Sequence, residues 1–193
     1  MIWRWTLSLL VVVAGFGCGG SSSTPDAGSS APPAIETLFP GNNEVATWTE
    51  DTTVGKAGVE VATTELAAEA LVDGDKAPFE GNFSAFGWQT YVSGTQRLEQ
   101  RIWRMKSTAL ASSIFTDILS DSVHGYPSET WENLAVGEAG RIAVSGVKVW
   151  VNARKGVDYI EIKVYAVETG GSVEATARAD AETFIKAVMA KYK

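Results

Sequence analysis

The stretch from Ala85 to Lys106 alternates apolar and polar residues on either side of Gly94, and no other segment constrains the fold as strongly. Ala85–Val92 reads as a strand, Ser93–Thr95 as a turn, and Arg97–Lys106 as the return strand of a hairpin. Successive strand side chains point to opposite faces, so the neighbours Ile102 and Trp103 place apolar bulk on both sides of the sheet. Helices must then cover one face, and the other is either a second packed layer or an exposed patch.

The same pattern returns about 62 residues further on. At that offset Trp88 aligns with Trp150, Gly94 with Gly156, Leu98 with Ile160, Glu99 with Glu161, Arg101 with Lys163, Ile102 with Val164 and Trp103 with Tyr165. Each copy is followed by an amphipathic helix. The first is capped by Ser107 and carries Leu110, Ile114, Phe115, Ile118 and Leu119 on one stripe. The second runs from about Val173 to Tyr192 with Ala177, Ala181, Phe184, Ile185, Val188 and Met189 on one side. The unit is strand, turn, strand, helix, read either as an internal repeat or as the likeness that any two amphipathic hairpins share. Both readings predict an α+β fold, an antiparallel sheet of hairpins with flanking amphipathic helices.

The other elements are shorter. Glu44–Trp48 and Gly58–Ala62 read as strands, and Glu65–Val72 as a helix capped by Thr63 or Thr64, with Leu66, Ala70 and Val72 on its buried face and Asp73-Gly74 as its stop. Ser120–Val136 shows little periodicity and reads as a loop with Trp131 and Leu134 as anchors. Arg141–Ser145, Val147–Asn152 and Asp158–Val167 read as three strands joined at Ser145-Gly146 and Lys155-Gly156. The order of elements and the pattern Leu66 to Phe79 followed by Tyr91, Leu98 and Met105 resemble an uncharacterised family of bacterial lipoproteins, known as a domain of unknown function, over roughly Leu38 to Lys191. That resemblance implies an exported α+β domain and supplies no functional residues.

Ahead of this domain lie two segments of different composition. Arg4 precedes the apolar run Leu7–Phe16, which is too short for the roughly 20 residues of a spanning helix and matches a signal-peptide core. Cys18, the only cysteine, follows Gly15-Phe16-Gly17. Gly15 to Cys18 resemble the lipobox of bacterial lipoproteins, in which the cysteine thiol receives a diacylglyceryl group and becomes the new N-terminus. The resemblance implies residues 1–17 as a signal peptide, lipidation at Cys18 and a membrane anchor through acyl chains such as palmitate. The alternative is an ordinary signal-peptidase leader. Gly19 in place of aspartate favours the outer over the inner membrane, by resemblance to the enterobacterial sorting rule. From Gly19 to Ala34 the chain holds no large apolar residue and reads as a flexible tether with a reach of roughly 20 Å. The domain plan is therefore 1–17 signal, 18–34 lipidated cysteine plus tether, and 35–193 a single α+β domain.

Charge narrows the partners. The formal charge is −7, and losing Arg4 with the leader leaves 15 basic against 23 acidic residues, a net −8 that disfavours nucleic acid and anionic lipid surfaces. The mature domain has no second cysteine for a disulfide or a thiolate metal site.

Catalytic chemistry finds little to build on. His124 is the single histidine, so no zinc set and no defined base for a serine nucleophile is available, and its Gly-Tyr-Pro surroundings read as a turn. Glu99 and Glu161 occupy matching repeat positions and are candidates for a carboxylate pair, or for solvent-facing cross-strand ion pairs with Arg101 and Lys163. Asp73 and Asp75 flank a glycine without the further ligands of a calcium loop. No catalytic residue, cofactor or metal is assigned. Trp88, Trp103 and Trp150 are the candidates for a partner or ligand groove, against the simpler reading that they pack the core. The expected function is a non-catalytic, lipid-anchored envelope protein that binds a partner protein or an apolar ligand. A carboxylate-based envelope hydrolase and a purely structural assembly role are the alternatives.

Overall fold

The computed structural model describes residues 31–54, 57–72, 79–120, 130–168 and 170–193. Pro32–Lys193 form one compact unit. Its strands are β1 (Thr49–Glu50), β2 (Glu60–Ala62), β3 (Phe83–Ser93), β4 (Gln96–Met105), β5 (Glu132–Asn133), β6 (Ala139–Val144), β7 (Lys148–Lys155) and β8 (Asp158–Ala166). Its helices are α1 (Glu65–Val72), α2 (Thr108–Asp117) and α3 (Ala177–Ala190). All strands join one antiparallel sheet in the order β1-β3-β4-β8-β7-β6-β5, with β2 pairing beside β1 on β3. The α+β architecture expected from the alternating hairpins is the one observed.

The two long hairpins share a register. Adding 62 to both members of a β3–β4 pair yields a β7–β8 pair: Trp88 opposite Arg101 becomes Trp150 opposite Lys163, and Ser93 opposite Gln96 becomes Lys155 opposite Asp158. Gly94 and Gly156 open equivalent two-residue connections with φ of 56° and 57°. A positive φ at the first position suits glycine and matches the twist of the flanking strands. Where the hairpins meet, β4 lies against β8 with Gln100 opposite Ile162, its own repeat mate. A local two-fold relation between the hairpins therefore passes through that pair.

The symmetry stops at the helices, which cover opposite faces. On one face, Leu98 and Ile102 of β4, Ile160, Ile162 and Val164 of β8, and Val149 and Val151 of β7 pack against Phe184, Ile185 and Val188 of α3. The N-terminal segment completes that layer with Leu38, Phe39, Val45 and Trp48. On the other face, Phe86, Trp103, Met105 and Tyr159 pack under α1 and α2 through Ala68, Val72 and Ala111. Neither apolar face of the sheet is left bare at its centre, and burial of large side chains at about 25 cal/mol per Å² of apolar area supplies the driving force.

Several local expectations change. Glu44–Trp48 is not a strand: Asn43 and Thr47 have φ of 59° and 71°, the Asn43 amide donates to the Trp48 carbonyl at 2.9 Å, and pairing with β3 begins only at Thr49. Val45 and Trp48 are buried there as anchors of a compact turn. Helix α1 has the expected limits, and the Thr64 hydroxyl accepts from the Ala67 amide at 3.3 Å, but its buried face is Ala68 and Val72, while Leu66 is 78% exposed. Helix α3 begins at Ala177, because Val173 is held instead by its amide donating to the Gly146 carbonyl. Ser107 caps α2 as expected, its hydroxyl accepting from the Leu110 amide at 3.2 Å. Cys18, Asp73, Asp75 and His124 lie outside the described residues.

Candidate functional site

On the sheet face that α1 and α2 pack against, a polar, aromatic ladder runs on from the apolar cluster, and Phe115 of α2 reaches its edge by lying 4.3 Å from the Arg141 guanidinium, opposite Asn152. One row crosses the sheet as Trp88, Arg101, Glu161 and Asn152, and the next as Thr90, Glu99, Lys163 and Trp150. The third row is Val92, Arg97, Tyr165 and Lys148. Strand alternation alone aims all these side chains to one side.

Glu99 is the hub. Its Oε1 accepts from Arg101 Nε at 2.6 Å and from Trp88 Nε1 at 2.9 Å, and its Oε2 accepts from Lys163 Nζ at 2.8 Å. Burial alone would raise its pKa, but the two cations outweigh burial and hold the carboxyl down at about 2. Glu99 is only 7% exposed and so does not face solvent as the alternation suggested, while Glu161 is half-buried. The cross-strand pairing with Lys163 is present, and the local two-fold relation sets Glu161 opposite Arg101 in the same way. Glu161 also accepts from Trp103 Nε1 at 3.3 Å. The two glutamates thus share a face on adjacent strands as diagonal neighbours, interleaved with two cations.

Next to this hub, Arg97 Nε donates to Asp51 Oδ2 at 2.6 Å, and Asp51 also accepts from the Thr53 amide at 3.0 Å. Burial works to raise the Asp51 pKa, and the Thr53 and Arg97 hydrogen bonds overcome it to give a lowered value. These contacts clamp the N-terminal strand over the β3 side of the ladder.

The three tryptophans part company. Trp103 is fully buried, stacked on Phe79 with centroids 4.0 Å apart and planes 3° apart, and it meets Phe83 edge-on at 5.3 Å. It lines no open surface, because α1, α2 and the Phe79 region close over that end of the sheet, and its role is core packing. Trp88 is half-buried, packs against the same cluster and is tied to Glu99. Trp150 is half-buried but enters neither apolar cluster, with Lys148 Nζ 5.8 Å from its ring. Beside it, Lys163 Nζ stands 5.6 Å from the Tyr165 ring. Burial, followed by the nearby Glu99 charge, raises the Tyr165 pKa.

Lys148 and Tyr165 were not singled out from sequence. The signal was present in Lys148-x-Trp150 and Lys163-x-Tyr165, since alternate residues of paired strands share a face. A second cluster, on the α3 face, had no local signal. There Asp158 is fully buried and accepts from Arg104 Nε at 2.8 Å, Arg104 Nη2 at 2.9 Å and Tyr192 Oη at 2.9 Å. Its carboxylate raises the Arg104 pKa through these hydrogen bonds. The cluster pins the end of the chain to the sheet. Among the described residues, no three His, Cys, Asp or Glu side chains converge as a metal site would need.

No family model matches the chain. No curated protein matches it either. Among solved structures, the chain is similar to the extracellular domain of PknH from Mycobacterium tuberculosis, with a TM-score of 0.46 and 10% identity, over 82% of this chain and 97% of that one. A likeness at this level carries no functional argument. Among the described residues, no helix is long and apolar enough to cross a membrane.

Proposed function

We propose that this chain is an exported, lipid-anchored protein of the cell envelope whose α+β domain acts by binding and not by catalysis. The observation that carries the binding half is a contrast on one sheet face. Glu99, the carboxylate nearest to a catalytic position, is held ionised down to about pH 2 by Arg101 and Lys163, whereas Trp150 in the same row is half-buried and belongs to neither apolar cluster. A general acid or base at neutral pH needs a pKa near neutrality, and Glu99 is displaced in the wrong direction. The hydrolase alternative would require activity that falls when Glu99 is replaced by glutamine.

Anchoring rests on the sole cysteine following an apolar run that is too short to span a bilayer. Each acyl methylene buried in a bilayer contributes about 0.8 kcal/mol, so two or three chains on Cys18 would hold the domain at the membrane. The outer membrane is the favoured location, from Gly19 after the cysteine. The test is fractionation with acyl labelling of the intact protein and of Cys18→Ala. The variant should lose the label and move to the soluble fraction, and unchanged membrane association would overturn the anchor.

A further inference from the structure

We propose that the half-buried patch on the α2 face, at Lys148, Trp150, Lys163 and Tyr165, binds an acidic saccharide, one carrying carboxylates on its pyranose rings. The proposal rests on the binding reading above and names its ligand class.

These four residues form a checkerboard on adjacent strands. Lys148 lies opposite Tyr165 and Trp150 opposite Lys163, so the aromatic rings occupy one diagonal and the ammonium groups the other. Two half-buried rings on a sheet surface offer flat apolar platforms with polar edges, which suit the C–H face of a sugar ring better than a flexible alkyl chain. Trp150 enters neither core cluster, so packing does not account for it.

The charge pattern selects the anion. Lys163 is compensated by Glu99 at 2.8 Å and Arg97 by Asp51 at 2.6 Å. Lys148 makes no ion pair with a carboxylate among the described residues, and its ammonium sits 5.8 Å from the Trp150 ring. On a chain of formal charge −7, Lys148 thus places a cation without a carboxylate partner among the described residues over a half-buried tryptophan ring. A carboxylate on a stacked sugar would meet that ammonium while the ring covers the indole.

The test uses the purified full-length protein in detergent and three probes in calorimetric titrations. The probes are galacturonate oligosaccharides, the same oligosaccharides with their carboxyls reduced, and polyglutamate. The acidic oligosaccharide should bind, and Trp150→Ala should weaken it by about tenfold, the size of an ordinary anchoring residue. Lys148→Glu, half-buried at the start of β7 and outside both apolar clusters, should weaken it at least as much and reduce its salt dependence. Leu66→Ala, on the exposed side of α1, should leave binding unchanged. Equal binding of the reduced oligosaccharide, equal binding of polyglutamate, no binding of the acidic oligosaccharide, or indifference to both Trp150→Ala and Lys148→Glu would each overturn the proposal. If the saccharide is bound and then shortened, the ligand class stands and the non-catalytic reading falls. If Cys18→Ala releases the protein but no saccharide binds, the ligand class falls and the envelope reading stands.

Discussion

In the β3–β4 hairpin, Trp88 donates to Glu99 and packs against the cluster beneath α1 and α2, while β1 and β2 pair along the outer side of β3. In the β7–β8 hairpin, Trp150 holds the equivalent position but belongs to neither apolar cluster, and Lys148 Nζ lies over its ring at 5.8 Å. Identical register therefore does not produce identical surroundings. The backbone geometry follows from strand alternation and a two-residue glycine turn. What each side chain meets follows from which helices and short strands arrive from elsewhere in the chain. The tryptophan of the first hairpin is tied into the apolar cluster, whereas Trp150 of the second stays outside it, although Tyr159 of that hairpin is core.

The largest expected difference between the hairpins lies at the first residue of each return strand, Gln96 and Asp158. Asp158 is fully buried with Arg104 and Tyr192 on its oxygens, so Asp158→Ala leaves Arg104 without its buried counter-charge and should cost about 3–5 kcal/mol. Gln96 is neutral, donating to the Thr95 carbonyl and accepting from the Glu174 amide, both at 3.2 Å, and Gln96→Ala should cost about 1 kcal/mol. Urea denaturation midpoints of the two variants measure this directly. Equal losses would mean that Asp158 has no special place in closing the second hairpin.

A middle-sized effect comes from Glu99. Its folded pKa of about 2 lies below its ordinary value of 4.5, so its contribution is complete above about pH 4.5 and is lost as pH falls toward 2. At 1.36 kcal/mol per pKa unit the loss is on the order of 3 kcal/mol. Stability of the parent protein should therefore fall more steeply over that acid range than stability of Glu99→Gln. Parallel profiles would show that Arg101 and Lys163 do not hold Glu99 as described.

The smallest effect should be shared. Gly94 and Gly156 have φ of 56° and 57°, and a Cβ at either would meet nothing within 4 Å. Only left-handed backbone strain opposes a side chain there, so Gly94→Ala and Gly156→Ala should each cost roughly 1 kcal/mol, equal within a few tenths. Thermal unfolding of both variants checks the equivalence of the turns, and a clear inequality would break it.

The parts legible in the sequence were those that depend on neighbours along the chain. Alternation around Gly94 and Gly156, the Ser107 cap and the apolar stripe of α3 each encode their own geometry, and the offset between the hairpins follows from the same pattern. Contacts between distant segments were not legible. Trp88, Trp103 and Trp150 share a sheet face, but only the arrival of Phe79, α1 and α2 over one end makes Trp103 core and leaves Trp150 half-buried outside the cluster. Likewise Arg104 meets Asp158 only because β4 pairs with β8, which no local signal specifies. Helix α1 misled because it is short and alanine-rich: Ala68 suffices for close packing, and the larger Leu66 turns outward. Val45 and Trp48 suggested a strand, although positive φ at Asn43 and Thr47 bends that segment into a turn.

The contrast between the hairpins is tested most directly by hydroxyl-radical footprinting of the intact protein, with oxidation read at each tryptophan by mass spectrometry. Trp150 should oxidise fastest, Trp88 more slowly and Trp103 least, and the acidic oligosaccharide should protect Trp150 alone. Equal oxidation of Trp88 and Trp150, or a Trp150 as inert as Trp103, would contradict a Trp88 packed into the cluster and a Trp150 outside it.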